Sequence, residues 1–227
     1  MTILCIETST SVCSAAICKD GAPIKQCICL EGSNHARLLP RYIEELLSFA
    51  REQHLSIDAV ALSEGPGSYT GLRIGTSTAK GLCYGLNIPL IPVPTLDVLC
   101  EAAKEQPAIG NQPSAILMPM IDARRMEVYT TDSDHKARAV VVENEDSLYA
   151  GNEEVYYFGD GAAKCQAVFT KPNWHFLPAI VPEAKYCARH IEAILDFPRV
   201  ETEAIAYYEP YYLKEFIAAQ SHVKGLH

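Results

Sequence analysis

The sequence has no surplus of basic residues. Its 19 Lys and Arg face 28 Asp and Glu, a formal net charge of -9 at pH 7. That balance excludes a broad basic footprint for nucleic acid or an anionic membrane surface, although a local patch would not show in the sum. Long hydrophobic runs are also missing: no stretch approaches the roughly 18 apolar residues of a spanning helix. The start, Met1-Thr2-Ile3-Leu4-Cys5-Ile6-Glu7, does not read as a signal peptide. The expectation is a cytoplasmic protein with no membrane partner. The 9 cysteines contain no Cys-x-x-Cys pair. Cys27 and Cys29 share one face of an expected strand, read as reduced thiols, with a metal or redox role as the alternative. The histidines lack the His-x-x-x-His spacing of a helical metal pair; four residues after His35 stands Leu39. Gly-x-Ser-x-Gly is absent, so a hydrolase serine has no motif.

What is present is a globular composition, 48% hydrophobic and 21% charged over 227 residues, enough for one large domain or two small lobes. Residues 3–8, 11–19 and 24–30 read as strands, with Asp20-Gly21 turning the second into the third. A helix follows, with Ser33 or Asn34 as cap and Pro40 as a kink or the true start. At ~100° per residue its apolar positions, Leu38, Leu39, Tyr42, Ile43, Leu46, Leu47, Phe49 and Ala50, cover about half the circumference. A surface helix needs less, which suggests a second packing partner. Residues 59–63 form a strand, then a glycine-rich loop leads to a helix over 72–86. One face of that helix carries Leu72, Thr76, Ala79, Cys83 and Leu86; another carries Ile74, Thr78, Gly81 and Gly85, small enough to admit another backbone. A strand over 89–93 precedes a helix over 96–104 capped by Thr95.

The turn-rich stretch 105–114 marks a lobe boundary. This gives a first lobe over 1–104 and a second over 114–227, whose last residues pack back on the first. The second lobe reads as strands at 115–121, 126–131, 137–142 and 155–159, with helices at 162–168 and 183–195. Each lobe opens alike: an apolar strand, an acid at its end (Glu7 or Asp122), then a second strand.

Three segments bear on chemistry. In Gly65-Pro66-Gly67-Ser68-Tyr69-Thr70-Gly71, Gly67, Ser68 and Thr70 could present N–H and hydroxyl groups to a phosphate, with Arg73 one helical turn on. The loop ends in no Gly-Lys-Ser/Thr, and its third glycine falls one place late for Gly-x-Gly-x-x-Gly, so the favoured reading is a tight turn with close helix packing. In Glu7-Thr8-Ser9-Thr10-Ser11, Glu7 could hold Mg²⁺ while Ser9 faces phosphate, or the segment is a bonded turn. Asp122-Ala123-Arg124-Arg125 could grip a phosphate or carboxylate, or be an Asp-initiated turn with solvated arginines.

Taken together, residues 2–10, Gly65-Pro-Gly-Ser-Tyr-Thr-Gly-Leu-Arg-Ile-Gly75, Asp122-Ala-Arg-Arg-Met-Glu-Val-Tyr129 and Pro210-Tyr-Tyr-Leu-Lys214 resemble the TsaB (YeaZ) family over nearly the whole chain. The resemblance implies an α/β ASKHA (actin, sugar kinase, Hsp70-like) fold of two lobes, each a mixed sheet flanked by helices. It implies an accessory subunit of TsaD, the transferase that places threonylcarbamoyl on adenosine beside the anticodon of tRNA. The ATPase TsaE is a further expected partner, and tRNA is met only through the complex. TsaD carries a histidine pair where this chain has Thr95 and Leu99, so no catalytic residue, metal or cofactor is expected here; ATP and a metal ion belong to the partners. The rival readings are a nucleotide-binding regulatory module and a glycoprotease-like metallopeptidase. The expected interface is Leu38, Leu39, Tyr42 and Leu46 with Ile74, Thr78, Gly81 and Gly85. Alone, that face would form a self-dimer. Leu46→Glu would break the heterodimer and leave the monomer folded. The glycine-rich loop then serves to start an interface helix.

Overall fold

A computed structural model describes residues 1–214 except 33, 111, 113, 132–135 and 195–196. Strands β1 (Thr2–Glu7), β2 (Cys13–Lys19) and β3 (Ala22–Cys29) form an antiparallel meander. Asp20 and Gly21 both take positive φ, 49° and 74°, the conformation that matches a two-residue hairpin turn to the strand twist. Helix α1 (His35–Glu52) leads to β4 (Ala59–Gly65), and α2 (Tyr69–Leu86) leads to β5 (Leu90–Pro94). Both β4 and β5 join in parallel, giving the order β3-β2-β1-β4-β5.

After α3 (Thr95–Ala103) and the short α4 (Pro107–Gly110), the pattern recurs. Strands β6 (Ile116–Pro119) and β7 (Ile121–Asp122) lie on either side of Met120. β7 pairs with β8 (Glu127–Thr131) and β8 with β9 (Ala137–Val141), all antiparallel. β6 pairs in parallel with β10 (Val155–Phe158), and β10 with β11 (Trp174–Leu177). Joined through Met120, the order is β9-β8-β7/β6-β10-β11, the connectivity of the first sheet repeated. The shared flavour at Glu7 and Asp122 thus reflects equivalent strand ends. The chain has an ASKHA-like α/β fold.

Three cores hold this frame. Leu4, Ile6, Ile17, Leu62 and Leu90 meet Leu39, Ile43 and Leu46 of α1 and Ala79 and Cys83 of α2 on one sheet face. On the other face, Ile3, Cys5, Ile91 and Val93 meet Leu96 and Leu99 of α3, and Cys187 and Ile191 of α5 (Ala184–Ala193). Ile121 and Phe158 join that second core, so it runs across the 104/114 division. The third core is aromatic: Tyr157, Trp174, Phe169 and Phe176 gather beneath β10 and β11.

Several expectations change. Helix α1 starts at His35, so Pro40 lies inside it and does not mark its start. Asn34 occupies the cap position without a side-chain cap bond, and Ser33 lies outside the described residues. Thr95 opens α3 but does not cap it, because its hydroxyl is bonded elsewhere. Residues 163–167 form a 3-10 turn where a helix was expected. β11 was missed; it is four residues long and begins just after Lys171-Pro172-Asn173. The expected end of the last helix, Leu195, residues 111 and 113 of the boundary stretch, and 215–227 of the second lobe lie outside the described residues.

Candidate functional site: the interlobe cleft and the outer helices

An open cleft of about 820 Å³ separates the lobes. Its first-lobe wall is the β1–β2 turn and the start of α2: Ser9, Thr10, Gly67, Ser68 and Thr70 among others. Its second-lobe wall carries Asp122, Arg124, Tyr129 and Asp160. Of the phosphate-facing set, Ser9, Gly67, Ser68 and Thr70 therefore line one wall together, whereas Glu7 and Arg73 do not.

Glu7 is fully buried behind Ser9. Its Oε1 accepts the Ser9 N–H and hydroxyl, both at 2.5 Å, while Oε2 has no hydrogen-bond partner among the described residues. Burial pushes this carboxyl up; the hydroxyls of Ser63 and Ser9 pull it back. A carboxyl placed so is not part of the cleft lining. Its work is to fold the β1–β2 turn. Arg73 points outward, with its guanidinium 4.5 Å over the Tyr69 ring.

The glycines of the α2 loop serve close packing. A Cβ at Gly67 would overlap the Ser9 carbonyl, one at Gly71 the Thr8 carbonyl, and one at Gly75 the Thr8 hydroxyl. The Thr8 hydroxyl in turn donates to the Gly71 carbonyl at 2.8 Å. Ser68 N–H donates to the Ser9 carbonyl at 2.6 Å, and the Ser68 hydroxyl caps Gly71 N–H at 3.3 Å. Two N–H groups at the helix start are thus already used within the chain. His35 fills the space behind, its Nε2 2.8 Å from the Thr10 carbonyl.

On the second-lobe wall, Asp122 opens a tight turn. Its Oδ1 accepts Arg124 N–H at 3.1 Å and the Lys164 ammonium, and Arg124 and Arg125 both take positive φ. The Asp-initiated turn is the observed arrangement; Arg124 lines the cleft, mostly in solvent. Asp160, unnoticed in the sequence, accepts the Asp122 N–H at 2.9 Å. Crowding by the cleft walls pushes its carboxyl up, and neighbouring Asp122 adds to the rise. Among the described residues no group of three His, Cys, Asp or Glu is placed to hold a metal ion, and no helix is long and apolar enough to cross a membrane.

Thr95 and Leu99 are spent on structure. The Thr95 hydroxyl meets that of Ser63 at 2.8 Å and accepts Gly65 N–H at 3.1 Å, pinning the end of β4. Leu99 is fully buried in the core between the first sheet and α5.

The expected interface divides. Leu39 and Leu46 are 0% exposed and pack on the sheet, so neither faces outward. The wide stripe of α1 is consumed at home: Leu38, Tyr42, Leu47 and Phe49 pack half-buried against the same core, and Lys25 sits 5.8 Å over Phe49. Leu46→Glu would therefore put a carboxylate inside the monomer. The small face of α2 differs. Ile74 and Thr78 are half-buried, and a Cβ on Gly81 or Gly85 would meet nothing within 4 Å among the described residues. Beside them Tyr84 is 79% exposed and Leu86 44%.

Comparison with known proteins agrees with the fold. The family model described as TsaD, tRNA N6-adenosine threonylcarbamoyltransferase, matches residues 30–160. The tRNA threonylcarbamoyladenosine biosynthesis protein TsaB of Haemophilus influenzae is 36% identical over 129 residues, 57% of this chain and 52% of that protein. The Escherichia coli protein of that name is 27% identical over 96% of both chains, and that of Bacillus subtilis 34% over 57% of this chain and 54% of its own. The match thus spans about half the length of the Haemophilus and Bacillus relatives and nearly all of the Escherichia one. The solved structure of YeaZ from Pseudomonas aeruginosa superposes with a TM-score of 0.69 at 25% identity, covering 93% of this chain and 99% of that one. The chain belongs to the family whose model is described as TsaD, tRNA N6-adenosine threonylcarbamoyltransferase.

Proposed function

We propose that this chain is a non-catalytic subunit that docks on a TsaD-type transferase. There it supports transfer of threonylcarbamoyl to adenosine next to the anticodon of tRNA. The observation that carries this reading is the outer face of α2. Gly81 and Gly85 stand inside a helix with open space where a side chain would be. Each costs the helix about 1 kcal/mol against alanine, and no contact among the described residues requires either. A partner backbone approaching that face gives them a use, and the exposed Tyr84 and Leu86 give it apolar anchors. The docking face is Ile74, Thr78, Gly81 and Gly85, with Leu38 and Tyr42 at the half-buried margin of α1. In the absence of the transferase, the same face pairs with a second copy.

Supporting the non-catalytic half, the places of the paralogue's histidines are taken by Thr95 and Leu99, both packed into the frame. The chain has no cofactor of its own; ATP and a metal ion are used by the transferase and the ATPase TsaE, in the cytoplasm. A nucleotide-binding module built on Glu7 is disfavoured, since that carboxyl sits behind Ser9. The test is a purified transfer reaction with TsaD, TsaE and tRNA, run with and without this chain. Omission is expected to lower threonylcarbamoyladenosine formation at least 100-fold. Full activity without it overturns the proposal.

A further inference from the structure

Two groups of thiols lie on opposite faces of the first sheet. Cys5, Cys18 and Cys187 are at most 1% exposed, in the core that α3 and α5 cover. Cys13 and Cys27 belong to the core that α1 and α2 cover. Cys29 stands two residues beyond Cys27 on β3 and so shares its face. β3 is the edge strand of the sheet. Cys29 is only half-buried there, whereas Cys13 is fully buried.

In the β2–β3 ladder Cys13 is directly opposite Cys29. Opposite residues of an antiparallel pair have Cα atoms about 4.5–5.5 Å apart, inside the range of about 4.4–6.8 Å that a disulfide spans. The other pairings in this group are worse placed. Cys27 opposes Ala15, so it meets Cys13 only across a diagonal of about 7–8 Å. Cys27 and Cys29 leave one strand in parallel directions, which do not converge on a bond. Cys13 and Cys29 are both free thiols, and that of Cys29 donates to the Glu31 carbonyl at 3.0 Å. Burial, then the neighbouring Cys29, pushes the Cys13 thiol up to about 11.

We infer that Cys13 and Cys29 are a reversible thiol-oxidation site, at which a peroxide closes a cross-strand disulfide that ties the edge strand to the sheet. Cys29 reacts first, because it is the member that solvent reaches. Its sulfur attacks one peroxide oxygen and the O–O bond breaks, giving a sulfenic acid and water. The Cys13 sulfur then attacks the Cys29 sulfur. The S–O bond breaks, and the Cys13 proton leaves with the hydroxide as a second water. Two thiols thus lose two electrons and two protons, and hydrogen peroxide is reduced to water. The raised Cys13 thiol slows the second attack; its fixed place one strand away offsets this. Burial shields Cys5, Cys18 and Cys187 from the same oxidant. The site stands apart from the docking proposal, because neither thiol lies on α2.

The test treats the reduced, folded full chain with hydrogen peroxide, blocks the remaining thiols and maps tryptic peptides. Segment 1–19, which holds Cys13, is expected linked to segment 26–37, which holds Cys29. Tandem fragmentation should place the bond between those two residues, and dithiothreitol should return both thiols. Cys29→Ser, at a half-buried edge position, should lower the linked pair at least tenfold. Cys27→Ser should leave it at the wild-type level. In the oxidised chain, amide exchange over residues 22–29 should slow at least threefold. A bond to Cys27, Cys5 or Cys18, or a linked pair that survives Cys29→Ser, overturns the assignment. Absence of any linked pair overturns the site, whether Cys29 stays reduced or oxidises past the sulfenic stage. Unchanged exchange in the linked chain overturns the tie to the sheet.

Discussion

Helices α1 and α2 are each 18 residues long and pack on the same face of the first sheet. α1 has the wider apolar stripe, and the chain itself covers it: Leu39, Ile43, Leu46 and Ala50 are buried, and Leu38, Tyr42, Leu47 and Phe49 close the margins. α2 has a weaker stripe, yet leaves two glycines, a tyrosine and a leucine in solvent. Stripe width reports how deeply a helix sits in its own fold. Small residues without an internal neighbour are the better pointer to an external one.

The largest expected effect separates the inner face of α1 from any outer surface. Leu46→Glu places an unpaired carboxylate in a fully buried site, at a cost above about 4 kcal/mol. Circular dichroism and urea denaturation should show a largely unfolded chain; a folded variant that merely fails to bind its partner would restore Leu46 to the interface. Next comes the inner face of α2. Gly71→Ala drives a Cβ into the Thr8 carbonyl and should cost about 3 kcal/mol, the upper end for overpacking, read as a lower urea midpoint.

The outer face of α2 should answer with the opposite sign. Gly81→Ala and Gly85→Ala are each expected to stabilise the isolated chain by roughly 0.5–1 kcal/mol, raising the melting temperature while weakening binding to TsaD. A fall in stability would mean that the glycines serve the chain's own packing. The smallest effect belongs to the margin of α1. Lys25 and Glu45 form an exposed pair beside Phe49, so Glu45→Gln should leave both the urea midpoint and partner affinity unchanged. A loss of affinity there would extend the docking face along α1 beyond Leu38 and Tyr42.

Local signals in the sequence located most elements of the first lobe. Apolar runs and Asp20-Gly21 gave the meander, and the glycine loop marked the start of α2. Length and flanking residues hid β11. What local pattern cannot show is where distant segments meet. α5 returns to the first sheet, its Ala184 N–H bonded to the Ser14 hydroxyl at 2.9 Å. Tyr212 finds Tyr69 from far along the chain. Glu7 looked like a ligand-facing acid because its position at a strand end is visible in sequence, while its burial behind Ser9 is not. Ser9, Gly67, Ser68 and Thr70 were legible as one wall because two short loops carry them all.

The most direct measurement is the affinity of TsaD for this chain with Gly85→Leu, by calorimetry beside the melting temperature of the isolated variant. The Cβ it adds meets nothing within 4 Å among the described residues, and the side chain has no room against a docked backbone. Binding at least 100-fold weaker, with an unchanged or higher melting temperature, is the result predicted. Wild-type affinity in the folded variant would contradict docking through α2.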